Sequence, residues 1–332
     1  MRRLVVGGFL GIAPLFVLSG CGNDAARAQQ SQAGAPKARP AWEWSEDTIR
    51  KVVNAVRAGR SLLPKQWPNG ARVAVALSFD VDNETVSLRF AEPTIGALSQ
   101  GEYGARVALP RVVGVLDRNQ IPATFFIPAV SVQLHPEMVD VIKKSGRHEF
   151  GVHGWIHEMN TAVPGPVERD LVKRALEYLT TATGTRPLGY RAPSWNFSPS
   201  TLSIVKDLGF TYESSMMSDE SPYELMQDGK PTGIVELPVE WIMDDAPLFN
   251  PQGNAYANPR DVAQVWMDEF DRAWEERTMF LLTMHPHISG HRSRIVALEK
   301  PIEHMKTKGG VWFATHGAVA QYVKQQAGMT VP

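Results

Sequence analysis

Apolar positions along this chain alternate between two rhythms. Arg72-Val73-Ala74-Val75-Ala76-Leu77-Ser78-Phe79, Ala123-Thr124-Phe125-Phe126-Ile127 and Met279-Phe280-Leu281-Leu282-Thr283-Met284 are nearly unbroken apolar runs of strand length, the composition of strands covered on both faces. Glu149-Phe150-Gly151-Val152, Leu188-Gly189-Tyr190-Arg191, Phe210-Thr211-Tyr212-Glu213 and Val311-Trp312-Phe313-Ala314 read as shorter strands. Between them the spacing turns helical: Val112, Val113, Val115 and Leu116; Met138 to Lys144, stopped by Gly146; Glu168 to Leu179, ending before Gly184; Leu202 to Leu208; Asp261 to Glu276; Ile295 to Lys306. Strands alternating with helices of roughly 10–15 residues predict βαβ units and a parallel sheet. One domain over residues 71–325 is expected. Ahead of it, Ile49, Val52, Val53 and Val56 within Asp47 to Arg60, closed by Gly59, predict an accessory helix packed on the outside of the domain, so residues 42–70 read as a helical extension.

The first residues read as an address. Arg2 and Arg3 precede an uncharged run from Leu4 to Gly20, the pattern of a secretory signal peptide over residues 1–20. Its end, Leu18-Ser19-Gly20-Cys21, resembles the bacterial lipobox. That resemblance implies cleavage before Cys21, lipid on its thiol, and an exported chain anchored to a bacterial membrane, facing the periplasm or the cell exterior. Residues 21–41, rich in Ala, Gln, Gly and Pro, read as a flexible tether. No later segment approaches the roughly 20 apolar residues of a membrane span.

Composition narrows the chemistry. With 43% hydrophobic and 21% charged residues in 332, the chain is not of the disordered class. Balanced charge, 34 Lys+Arg against 35 Asp+Glu, lacks the basic footprint of a nucleic-acid binder. The single cysteine, outside the expected domain, excludes an internal disulfide, a thiolate zinc site and a CxxC redox centre. No GxGxxG or Walker pattern follows the first strand and no G-x-S-x-G elbow occurs, which leaves nucleotide folds and serine nucleophiles without support. Any ion in the domain must then be held by Asp and His.

In a parallel α/β barrel, functional residues gather at the C-terminal ends of strands. Asp80 and Asp82 stand two apart after the first strand, so both side chains point one way. Two carboxylates on an apolar wall repel each other unless a cation compensates; the plainer reading is a pair of acids tying down a loop. His153 and His157, four apart, are one helical turn from each other and can reach one ion. Two imidazoles and one carboxylate make the three-ligand set of a catalytic divalent site, open to water and substrate. His287 and His291 share that spacing but read as a loop after a strand. Arg191, on an apolar strand, needs a carboxylate partner, for which Glu240, Glu236 and Asp244 are candidates. Trp195 and Trp241 read either as core residues or as walls of a sugar-binding groove.

In order and context, these motifs resemble the polysaccharide deacetylases of carbohydrate esterase family 4, the NodB-homology domain, from about Arg72 to His316. Ser78-Phe79-Asp80-Val81-Asp82 looks like motif one, His153 to His157 motif two, Arg191-Ala192-Pro193-Ser194-Trp195 motif three and Leu282-Thr283-Met284-His285 motif five. Gly101-Glu102-Tyr103-Gly104, Tyr190 to Trp195 and His285-Pro286-x-Ile288-Ser289-Gly290 are similar to the branch typified by a Helicobacter peptidoglycan deacetylase. Tyr103, with Trp195 and Trp241, is thereby a candidate substrate contact. The resemblance implies a distorted (β/α) barrel of seven strands. It implies that Asp80 is the catalytic base, that Asp82, His153 and His157 hold a divalent metal, commonly zinc, and that His285 is the general acid. The Ser194 backbone N–H would help bind the oxyanion, and Arg191 would orient Asp80. Motif four, an Asp/Trp element, has its nearest counterpart in Glu240-Trp241. The expected function is metal-dependent removal of N-acetyl groups from an envelope or extracellular polysaccharide. One alternative is hydrolysis of a small or cyclic amide, as by the allantoinase of this branch that works without a metal, with Asp244 to Asn258 as a lid. Another is a lipoprotein that binds glycans without turning them over.

Overall fold

The computed structural model describes residues 39–90, 93–249 and 256–331. The signal peptide, Cys21 and nearly all of the tether lie outside the described residues, as do residues 250–255 of the expected lid. The chain falls into two units, residues 1–49 and 50–332. The described part of the first holds a 3-10 turn at Ala41–Glu43 and the start of a helix, Glu46–Asn54.

The second unit is built on one ten-stranded sheet. Its strands are β1 (Val56–Ser61), β2 (Val73–Asp80), β3 (Thr124–Ile127), β4 (Glu149–Val152), β5 (Gly189–Tyr190), β6 (Tyr212–Glu213), β7 (Tyr223–Gln227), β8 (Lys230–Glu236), β9 (Met279–Met284) and β10 (Val311–Phe313). Every residue of β2 and β9 is buried, as their unbroken apolar sequence requires. β2 pairs in parallel with β9 along most of its length, with β10 through Val73–Val75 and with β3 through Ser78–Asp80. The parallel run continues through β4, β5, β6 and β8. The sheet curls until the segment after β8 meets β9 at a lone bridge, Asp244 to Thr283. The seven strands β9-β2-β3-β4-β5-β6-β8 thus form the distorted barrel that the motifs implied, with a seam between β8 and β9. Helices Leu109–Asn119, Gly165–Thr183 and Pro259–Glu276 bury apolar stripes, among them Val112 and Leu116, Val172 and Leu179, Trp266 and Phe270. Parallel strands joined by such crossovers bring all their C-terminal ends to one face.

Two differences from the expected elements stand out. The helix read over Asp47 to Arg60 stops at Asn54, and Val56–Ser61 is instead β1, antiparallel to β7 at the sheet edge. Gly59 serves that pairing rather than a helix end: a Cβ there would sit 2.7 Å from the Glu224 carbonyl oxygen. Nor is the helix packed as expected, since none of its residues is buried and Val52 and Val53 are exposed. The second difference is the β7–β8 hairpin. Its turn, Asp228-Gly229, has positive φ at both residues, the Asp-Gly signature of a tight hairpin.

Close packing at the short β5 makes a test. A Cβ on Gly189 would lie 1.9 Å from the Cζ of Tyr212, which is wholly buried with its hydroxyl 3.0 Å from Glu149 Oε1. Gly189→Ala is expected to cost about 1–3 kcal/mol or more by overpacking, seen as a lower thermal midpoint. Gly96→Ala, in a helix with nothing within 4 Å of the new methyl, should leave the midpoint unchanged or raise it slightly.

Candidate active site

The C-terminal strand ends enclose a cavity of about 290 Å³. β2 delivers Asp80 and, two residues on, Asp82 to its floor, both almost fully buried. Arg191, at the end of β5, lies beneath the cavity with no exposed surface. Its Nη1 donates to Asp80 Oδ1 at 2.8 Å and to Ser78 Oγ at 2.9 Å, while Nε and Nη2 donate to the carbonyl and hydroxyl of Ser214. The guanidinium lies 4.1 Å from the centre of the Phe126 ring. Its carboxylate partner is therefore Asp80, rather than Glu240, Glu236 or Asp244. Burial pushes the Asp80 carboxyl up, but Arg191, then His153 and His285, outweigh it and leave it below its ordinary value.

His153 and His157 converge through a loop instead of a helical turn. Gly154 and His157 have φ of 74° and 62°, and the Glu158 carboxylate accepts the N–H groups of Trp155 and Ile156 at 2.8–3.0 Å. The two rings stand 5.1 Å apart, with their Nε2 atoms 3.6 and 3.5 Å from the Asp82 carboxylate. Asp82 Oδ1 is buried and accepts no hydrogen bond, a costly state for an anion without a cation beside it. Burial, opposed by His153 and His285 and reinforced by Asp80, pushes the Asp82 carboxyl up. His153 Nδ1 donates to the Arg191 carbonyl at 2.8 Å, which leaves its Nε2 lone pair for the cluster. One carboxylate and two imidazoles within 4.8 Å of one another fit a small divalent ion. The other ring nitrogen of His157, Nδ1, lies 3.1 Å from Nη1 of Arg89, which also donates to Ser194 Oγ at 2.8 Å.

His285 faces this cluster from the end of β9, its Nε2 3.6 Å from Asp82 and 4.0 Å from Asp80 Oδ2. Asp245, wholly buried at the start of a short helix, accepts both the His285 backbone N–H and its Nδ1–H, the latter at 2.7 Å. Burial alone would lower the His285 pKa, but Asp244, Asp245 and Asp82 raise it well above the ordinary histidine value. Asp244 is itself pushed up to about 7, chiefly by burial. Glu240, the nearest motif-four candidate, is exposed and accepts its neighbour's N–H instead. His287, beside His285 on the cavity wall, is lowered to about 3 by burial and by the His285 charge.

Ser194 and Trp195 both adopt left-handed backbone, φ 53° and 51°, a strained turn for residues with side chains. It brings Ser194 to the cavity wall and sets Trp195 against Trp241, ring centres 4.2 Å apart, with both tryptophans lining the cavity. Tyr103 does not line it: the ring stacks on His291 at 4.3 Å and the hydroxyl accepts from Arg111 at 3.0 Å. Sequence reasoning missed Asp245, Glu158 and Arg89. The first two adjoin residues it had singled out, Asp244 and His157. Arg89, exposed to no motif, carried no signal.

The chain is similar to known proteins over most of its described length. The family described as polysaccharide deacetylase matches residues 94–213. A peptidoglycan deacetylase of Helicobacter pylori is 31% identical over 252 residues, 67% of this chain and 86% of its own length. A crystal structure from Mycobacterium smegmatis that carries the polysaccharide deacetylase name is 33% identical with a TM-score of 0.75, covering 82% of this chain and 97% of its own. An allantoinase structure shares the fold, at 24% identity and a TM-score of 0.72, over 82% of this chain and 96% of its own.

The opposed histidines give a titration test. In ion-free protein, His285 should stay protonated to a pH well above the ordinary histidine range while His287 stays neutral down to about pH 3, followed by the ring resonances in NMR. Asp245→Asn should lower the His285 pKa. A raised folded-state pKa stabilises below the unfolded value of about 6.5 and loses that effect as pH rises through the folded value. The stability gap between the wild type and Asp245→Asn should therefore be widest in acid and narrow in alkali.

Proposed function

The chain belongs to the polysaccharide deacetylase family, and from that premise we propose that it hydrolyses the N-acetyl amide of an envelope or extracellular glycan, peptidoglycan or a similar N-acetylated polymer. Acetate and a free amine are the products. One observation carries the reading: a carboxylate whose pKa is lowered, Asp80, and an imidazole whose pKa is raised, His285, face each other at 4.0 Å beside the Asp82, His153 and His157 donor set. Asp82, His153 and His157 are the ligands, and zinc suits one carboxylate with two imidazoles. Such an ion, when bound, supplies Lewis acidity that acidifies water and polarises the amide carbonyl.

The chain's own groups do the rest. Asp80 takes a proton from the attacking water on Oδ2, because Oδ1 is engaged by Arg191. Its lowered pKa makes it a weak base that is always ready. Arg191 touches no substrate and is a positioning residue. As the water oxygen bonds to the acetyl carbon, the Ser194 N–H, in its strained turn, faces the developing oxyanion. His285 then gives its Nε2 proton to the nitrogen as the C–N bond breaks, and Asp245 steadies the ring through Nδ1. Trp195 and Trp241 form the wall on which a sugar ring rests. Export and lipid attachment at Cys21, supported by the lipobox pattern, would bring this unit to an envelope glycan.

A second reading is favoured by the size of the cavity, about 290 Å³, and the fold shared with an allantoinase: a small or cyclic amide as substrate. Parallel assays on N-acetylated oligosaccharides and on cyclic amides separate the two. A glycan binder without turnover is disfavoured by the opposed acid and base, which binding alone does not require.

With zinc present, the purified protein should release acetate from N-acetylated oligosaccharides, and a chelator should abolish this until zinc is restored. Asp80→Asn and His285→Ala should each lower kcat by about 10²–10⁴ with little change in KM. Asp245→Asn should cost less and move the alkaline limb of the pH profile to lower pH. Unimpaired turnover by Asp80→Asn would remove Asp80 from the role of base.

A further inference from the structure

The two ligand histidines are not equivalent. His153 is set up to bind an ion: its Nδ1–H is held by the Arg191 carbonyl at 2.8 Å, which leaves Nε2, 3.6 Å from Asp82, as the nitrogen facing the cluster. His157 is set up against it. Its Nδ1 lies 3.1 Å from Arg89 Nη1, and a guanidinium only donates. Nδ1 must then be the acceptor, and the proton of the neutral ring sits on Nε2. That is the nitrogen 3.5 Å from Asp82 Oδ2, the one a metal would need bare. Ligand histidines ordinarily donate their second N–H to a carboxylate, carbonyl or water; here a cation occupies that place.

Arg89 is held lightly. Nη1 reaches His157 Nδ1, Ser194 Oγ at 2.8 Å and, more distantly, Met159 Sδ at 3.5 Å. Arg89 itself lines the cavity wall, its Nε is buried without a partner, and its guanidinium lies 4.8 Å from the centre of the exposed Phe90 ring. No described carboxylate lies within ion-pair distance of it, and Asp82 acts on its charge only from further off.

We propose that Arg89 is a positioning residue that opposes the ion, so that metal occupancy and the place of Arg89 are coupled. This rests on the reading that Asp82, His153 and His157 bind a divalent cation. Ligation through His157 Nε2 requires that ring's proton to pass, through solvent, from Nε2 to Nδ1, with no net gain or loss. Two N–H donors would then face each other, and Arg89 must swing away from His157. Its turn frees the Ser194 hydroxyl and leaves an unpaired guanidinium on the wall of the loaded site. Ion affinity is thereby set lower than the three ligands alone would give.

The test is zinc affinity of the full chain, measured by competition with a chromophoric chelator. Arg89→Gln supplies an amide oxygen that can accept Nδ1–H, and should bind zinc about 10–100-fold more tightly than the wild type, the range typical of second contacts to ligand histidines. Arg89→Lys, which keeps a charged donor, should remain near the wild type. Long-range ¹⁵N NMR should find the His157 proton on Nε2 in the ion-free wild type and on Nδ1 once zinc is added. Equal or weaker binding by Arg89→Gln, while Asp82→Ala and His153→Ala abolish binding, overturns the role of Arg89 and leaves the ion site standing. Zinc binding that survives Asp82→Ala and His153→Ala overturns the ion site itself and this inference with it. Should Arg89→Gln fail to fold, an Nδ1 proton on His157 in the ion-free wild type overturns the proposal, and an Nε2 proton upholds it.

Discussion

A guanidinium sealed from water holds this site together. Arg191 bonds to Ser78 and Asp80 on β2 and to Ser214 just beyond β6, and lies against Phe126 of β3. Its own carbonyl, meanwhile, fixes the tautomer of His153. One residue thus sets the charge of the carboxylate through its side chain and the readiness of an imidazole through its backbone. A buried ion pair adds little net stability, but removing one partner strands the other charge at about 3–5 kcal/mol. The barrel and the chemistry are therefore hard to separate at this position.

Around that pair, environment drives like groups apart. Asp80 is held down, and Asp244, on the opposite side of the His285 ring, is pushed up to about 7. His285 is raised while its neighbour His287 falls to about 3. Such divergence lets one cavity hold like groups with widely separated pKa values. Behind the site lies a buried acid pair, Glu213 and Glu236, paired across β6 and β8 and both raised by burial. Glu213 accepts from the Ser215 hydroxyl, which in turn accepts the Ala192 N–H at 2.8 Å. This chain reaches the turn that carries Ser194.

Much of this was legible in sequence because it is local. The apolar runs of β2, β3 and β9 gave their strands, and strand ends gave Asp80, Asp82, His153 and His285. What was hidden depends on distant partners. Nothing in the spacing of Asp245 says that it will meet a histidine 40 residues on, and an Asp/Trp pattern pointed to Glu240 instead. Arg89 follows a helix of four residues with no motif around it. His153 and His157 were grouped correctly for the wrong reason, since left-handed backbone at Gly154 and His157 replaces the helical turn. The accessory helix ends earlier than expected because Val56 and Gly59 fit a helical spacing and a strand equally well, and only the approach of β7 decides between them.

The seam at Asp244 and Thr283 gives the site a mechanical character. Strand pairing is long between β2 and β9 but falls to one residue pair between β4 and β5, and at the seam an isolated bridge and the Asp245–His285 hydrogen bonds join the two sides among the described residues. Asp244 and Asp245 ride on one side and His285 on the other. Parting of these two sides would take His285 away from the carboxylates that raise its pKa, while Asp80 and Arg191 stay bonded to each other. The charge of His285 is thus a property of the joined barrel ends and not of either strand alone.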